Sequence, residues 1–138
     1  MFEQINLLAV VLCAVVHMAL GFFWYGFLFT KPWMRLSGIQ AKHMENPDNI
    51  RRARIGYVIS TVCAIIMSLT LAFVIQFTGL KSVGGGFIAG VAMWAGFCLT
   101  SMLPNHLFSG KPFGLAVIDI TYPLASLAIM GTLLGFLS

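Results

Sequence analysis

Gly21-Phe22-Phe23-Trp24-Tyr25-Gly26-Phe27-Leu28-Phe29-Thr30-Lys31-Pro32-Trp33 closes the first apolar run of the chain. Large aromatics, a lysine and a proline meet there at one depth. This is the pattern of a helix leaving lipid, with rings at headgroup level and the first cation just beyond. A shortened echo, Leu107-Phe108-Ser109-Gly110-Lys111-Pro112-Phe113, opens the last apolar segment.

Working outward, residues 5–29 form an apolar run long enough to cross a bilayer, which takes roughly 20 such residues. It does not read as a cleavable signal peptide: Glu3 precedes it without Lys or Arg, and the run exceeds the usual ~7–15-residue core. Further spans are expected at 55–78, 85–103 and 113–137, the last ending beside the final residue with no soluble domain after it. The composition agrees. The 138 residues are 59% hydrophobic and 9% charged, with a mean hydropathy of +0.95. A soluble domain carries about 25% charged residues, so this chain lacks the polar surface to face water all round. The expected fold is an all-α membrane protein, a single domain of four transmembrane helices. The two Leu-Phe-[Ser/Thr]…Lys-Pro-[Trp/Phe] stretches suggest two helical hairpins of the same topology, although independent use of a lysine–aromatic anchor explains them as well.

The basic residues fix the expected orientation. Lys31, Arg35, Lys42, Arg51, Arg52 and Arg54 lie in the 30–54 loop against only Glu45 and Asp48, and Lys111 lies on the same side. The other side holds Lys81 alone. Cytoplasmic loops are enriched in Lys and Arg, so the loop is expected inside and both termini outside. Arg51, Arg52 and Arg54 are also placed to contact anionic lipid. Within the loop, Pro32 is expected to open a short interfacial helix, and Asn46-Pro47-Asp48 reads as the capped start of the next one. The net charge of +4 lies in this loop, so a nucleic-acid partner is not expected.

Small residues recur every fourth position: Ala9, Cys13 and Gly21 around His17; Gly56, Ser60, Ala64, Ser68 and Ala72; Gly86 and Gly90; Gly131 and Gly135. Such faces let helices approach closely in lipid, and their number suggests a homo-oligomer besides an intrachain bundle.

Asp119 is the strongest polar signal. A carboxylate within a span costs about 2.5–3.5 kcal/mol on insertion scales and normally faces a bundle interior or cavity. It lies about 9 Å of helix rise beyond Phe113. Pro123, four residues on, donates no N–H to its carbonyl and should kink the helix. Tyr122 and Ser126 continue that face, while Trp24, Tyr25, Thr100 and Ser101 lie at similar depth as candidate partners. His17 sits nearer the midplane, where an interhelical hydrogen bond, a proton relay or haem ligation are the alternatives. This set is either a polar pathway or a network that locks the fold. Cys13, Cys63 and Cys98 have no Cys-x-x-Cys spacing, no metal cluster stands at ligand spacing, and no nucleophile–base pair or phosphate loop is present. No cofactor and no enzymatic activity are therefore expected.

Gly21-x-x-Trp24-Tyr25, Phe29, Lys31, Trp33, Leu107-Phe108-x-Gly110-Lys111-Pro112-Phe113, Asp119, Tyr122 and Met130-Gly131 resemble the bacterial integral-membrane proteins grouped as domain of unknown function 1761. The resemblance covers essentially the whole chain. It implies four helices in a bacterial inner membrane, with membrane lipids as neighbours, and no established reaction, substrate or cofactor. Small multidrug exporters have a similar size but depend on a first-span glutamate, where this chain has His17.

The residues thus support an oligomeric channel or transporter for ions, protons or a small solute. A non-catalytic accessory or lipid-interaction subunit is the second reading, and a haem- or quinone-linked redox subunit the third.

Overall fold

A computed structural model describes residues 5–37, 47–110 and 112–137. The expected cap Asn46 and the loop residues Lys42, His43, Glu45 and Lys111 lie outside them. Every described element is helical. Helix α1 (Leu7–Phe23) runs into a π-helical turn, π1 (Trp24–Leu28), then α2 (Thr30–Ser37) and the long α3 (Pro47–Thr78). Helix α4 (Val83–Met93) runs through a second π-helical turn, π2 (Trp94–Leu99), into α5 (Thr100–Ser109), and α6 (Phe113–Leu137) closes the order. Four of these helical stretches are long and apolar enough to cross a membrane: Leu7–Leu28, Ile50–Thr78, Val83–Ser109 and Phe113–Leu137. The chain is a multi-pass membrane protein.

Local chemistry sets the boundaries. The Asn6 side chain accepts from the Ala9 N–H at 3.2 Å, satisfying one of the free donors at the start of α1. Gly79, at φ +73°, ends α3 in the left-handed conformation that a Cβ disfavours. Ser82 then caps α4, accepting from the Gly85 N–H at 2.9 Å. The short helix in the loop starts at Thr30, two residues before the expected proline. Pro32 is accommodated because the first helical N–H groups have no intrahelical acceptor.

Two sequence expectations are corrected. Pro104 does not end the third span: the helix continues through it to Ser109 and stops at Gly110, at φ +71°. Spanning helices tolerate an internal proline where neighbouring groups satisfy the freed backbone, and the glycine is the true terminator. The second small-residue ladder packs over only part of its length. Ala64, Ser68 and Ala72 are buried, whereas Gly56 and Ser60 are exposed because the start of α3 stands away from the other helices.

Helix α6 is the hub, touching α1, α2, α3, α4 and α5. Its closest partner is α4. A Cβ built on Gly86 would overlap the Gly131 carbonyl oxygen, one on Gly90 that of Leu127, and one on Gly135 that of Ser82. Only hydrogen at these positions allows the two backbones into contact, the means by which helices gain dispersion energy where lipid removes the hydrophobic drive. Beside this crossing, Cys13, Leu71, Ile75, Met130 and Leu134 form the buried core toward the termini. Ser68 joins α3 to α1 there, donating to the Val10 carbonyl at 2.8 Å.

Candidate functional site

Toward the basic end the helices are joined by aromatic and polar groups instead. Both π turns begin with a tryptophan. Trp24 donates its indole N–H to the Ile118 carbonyl at 3.1 Å, and Trp94 donates to the Ile120 carbonyl at 2.9 Å. These carbonyls flank Asp119, in the turn where Pro123 withdraws a backbone donor, and α6 runs unbroken through that proline. Two indoles from different helices thus supply N–H groups to the stretch of α6 that proline weakens. The turns share a sequence echo, Trp24-Tyr25-Gly26-Phe27 and Trp94-Ala95-Gly96-Phe97.

The Asp119 carboxylate lies between three helical segments. Tyr25 donates its hydroxyl to Oδ1 at 2.9 Å, and His106 Nε2 stands 3.2 Å from Oδ2. His106 Nδ1 is 2.9 Å from the Met102 carbonyl oxygen, which can only accept, so Nδ1 carries a proton. The Nε2–Oδ2 contact then needs one further proton, held either as imidazolium facing carboxylate or as carboxylic acid facing neutral imidazole. The side chains are 16% and 21% exposed, so the pair lies near the surface of the bundle at its basic end.

A second cluster lies deeper. Tyr122 donates its hydroxyl to the His17 backbone carbonyl at 2.7 Å, and its oxygen lies 3.3 Å from His17 Nε2. His17 Nδ1 meets the hydroxyl of Ser126, which also contacts Met130 Sδ at 3.3 Å. The Tyr122 oxygen is also 3.4 Å from His17 Nδ1, so it stands nearly equidistant from the two ring nitrogens and its directed bond is the one to the backbone carbonyl. Gly21 makes room for this arrangement: a Cβ there would stand 2.8 Å from the Tyr122 oxygen. The clusters meet where the Tyr25 and Tyr122 rings lie 5.5 Å apart.

Six of the expected polar residues therefore assemble: Asp119, Tyr25, Trp24, Tyr122, His17 and Ser126. Trp24 reaches a backbone carbonyl and not the carboxylate. Thr100 and Ser101 are corrected: each returns its hydroxyl to its own helix, Thr100 to the Gly96 carbonyl at 2.7 Å and Ser101 to that of Phe97. They share the depth of Asp119 but face elsewhere, because the π2 turn alters the rotation of all that follows. His106 takes the place expected for them. The signal that could have found it is Gly110, which carries the helix past Pro104. Arg51, Arg52 and Arg54 stand exposed on the first turns of α3. Among the described residues no three His, Cys, Asp or Glu side chains gather as a metal site.

Beside the clusters lies a cavity of about 440 Å³ between α1, π1, α2, α3 and α6. His17, Tyr25 and Tyr122 form its inner wall, Trp33 and Met34 of α2 close one side, and Tyr57 and Ser60 of α3 the other.

Residues 8–135 match the family model described as Protein of unknown function (DUF1761). Comparison with curated proteins and with solved structures found no match in either.

Proposed function

The chain belongs to the DUF1761 family, and within it we propose a small membrane transporter or channel in which the Asp119–His106 pair exchanges a proton. The observation that carries the reading is the 3.2 Å contact between His106 Nε2 and the Asp119 carboxylate, partly exposed and within a membrane-spanning bundle. Ionisable groups inside spans are rare and mark ion and proton pathways. Tyr25 and Tyr122 extend the polar surface from that pair toward His17. The reading assigns the pathway to Asp119, His106, Tyr25, Tyr122, His17 and Ser126, and involves no catalysis, nucleic acid or cofactor.

The same reading places the basic end in the cytoplasm of a bacterial inner membrane, both termini outside, with Arg51, Arg52 and Arg54 against anionic headgroups. A second copy of the chain would complete the path across the outer half of the bilayer.

The test is proton flux in proteoliposomes under an imposed pH gradient and potential. Asp119→Asn is a clean variant, since an amide oxygen can still accept from Tyr25 and an amide N–H can donate to neutral His106. Wild-type flux that disappears in a folded Asp119→Asn protein is the expected result. The second reading, a network that only locks the fold of an accessory or lipid-interaction subunit, is favoured by one observation: no buried side-chain N or O lacks a partner among the described residues. It expects no flux from the wild type.

A further inference from the structure

We propose that the 440 Å³ cavity is a binding site for an uncharged, lipid-soluble ring compound bearing a carbonyl or similar hydrogen-bond acceptor, entering sideways from the bilayer. Its volume falls within the roughly 300–1,000 Å³ of small-molecule pockets. Three observations define the ligand.

The first is charge. Among the described residues, no Asp, Glu, Lys or Arg lines the cavity. The nearest carboxylate, Asp119, has one oxygen taken by Tyr25 and the other by His106, so it is not available to pair with an organic cation. A charged ligand would lose its hydration for no counter-charge.

The second is the wall. Phe22, Tyr25, Trp33, Tyr57 and Tyr122 present rings, and Met18 and Met34 present adaptable thioethers, a lining suited to a flat apolar body. Phe22 and Tyr57 stack at 5.4 Å between α1 and α3, and both are more than half exposed on the outer surface of the spans. Their rings stand where a molecule dissolved in lipid would pass.

The third is polarity. On the inner wall, His17 Nδ1 is already bonded to Ser126 and the Tyr122 hydroxyl donates to the His17 carbonyl. On the opposite wall, the hydroxyls of Tyr57 and Ser60 have no hydrogen-bond partner among the described residues. Adjacent Thr61, which does not line the cavity, bonds the Tyr57 carbonyl at 2.8 Å. Tyr57 and Ser60 are three positions apart, so both hydroxyls face the same side of α3. Both residues are exposed, so these hydroxyls stand on the open side of the cavity, where an acceptor on the ligand can meet them.

The proposal goes beyond proton exchange and does not depend on it: binding is read by fluorescence and exchange by flux, so either can fail alone. The probe is decylubiquinone, an uncharged ring with two carbonyls that quenches tryptophan, titrated into full-length protein in phosphatidylcholine nanodiscs. Trp33 in the wall reports occupancy. Saturable quenching is expected in the wild type. Ser60→Phe, which fills the cavity from an exposed position, should weaken it about tenfold or more. Tyr57→Phe, which keeps the ring and removes the donor, should weaken it by a factor of about 3–10. Thr61→Val should leave it unchanged. Tetraphenylphosphonium, a bulky aromatic cation, should not displace the quinone. Linear quenching that is the same in Ser60→Phe would mean partition into lipid and overturn the proposal. Displacement by the phosphonium would overturn it in favour of an organic-cation site.

Discussion

Toward the termini, α4 and α6 touch backbone to backbone through Gly86, Gly90, Gly131 and Gly135; toward the basic end the helices are held apart and joined by indoles, phenols and imidazoles. The first arrangement leaves no room for water or ligand and specifies one geometry. The second holds its spacing by directed hydrogen bonds and leaves a cavity beside them. A chain this short separates rigidity from chemistry along the bilayer normal. The glycine crossing fixes how α6 enters the polar half, and so fixes where Asp119 stands.

The comparison breaks most severely at the crossing. Gly131→Leu would drive a side chain into the Gly86 carbonyl and should leave no stable bundle, read as loss of folded protein in detergent. Gly131→Ala forces the same backbones apart by less and should cost about 1–3 kcal/mol, the range for overpacking a close-packed site. A Gly131→Leu protein that melts like the wild type would show that the terminal half does not fix the geometry.

Next in size is Asp119→Leu. It removes the carboxylate that the Tyr25 hydroxyl and His106 Nε2 meet and should cost about 1–3 kcal/mol in thermal or denaturant unfolding. Asp119→Asn should cost far less, because the amide can bond both neighbours. Equal loss in the two variants would mean that the charge, and not the hydrogen bonding, holds this half together.

Trp24→Phe and Trp94→Phe each remove one indole donor from α6 and should each cost about 1 kcal/mol. The two carbonyls lie within one turn of α6, so the double variant should depart from additivity, as groups sharing one element do. Strict additivity in unfolding free energy would indicate that the indoles do not act on a common weak point.

Much of this was legible in residues 21–33 and in the spacing of small residues. Gly86-x-x-x-Gly90 and Gly131-x-x-x-Gly135 announce a close crossing because a four-residue period keeps one face clear along both helices. Tyr25 could be placed against Asp119 because helix rise gives depth and a phenol is a natural donor to a carboxylate. Depth alone does not give the angle around the helix. Thr100 and Ser101 follow a π turn, which inserts a residue and so shifts the face by about 100°. Their depth matched Asp119 while their direction did not. His106 was hidden behind Pro104, since a proline in a soluble helix is a stop and in lipid it need not be. The cavity was not legible because it depends on α3 diverging at its start, and nothing in the repeating Gly56-Ser60-Ala64 pattern distinguishes its free half from its packed half.

That free half gives the smallest expected effect. A Cβ on Gly56 meets nothing within 4 Å, so Gly56→Ala should not disturb the bundle. It removes a glycine from a helix interior, which favours folding by roughly 0.5–1 kcal/mol, and the variant should melt slightly higher or unchanged. The same open face is where a second copy would dock if the ladder serves an oligomer. Gly56→Leu separates the two uses. With the fold intact, a fall from oligomer to monomer in native membrane cross-linking would assign Gly56 to an interface between chains. An unchanged oligomer would leave this face to lipid, and would set the two halves of α3 apart as sharply as the two ends of the bundle.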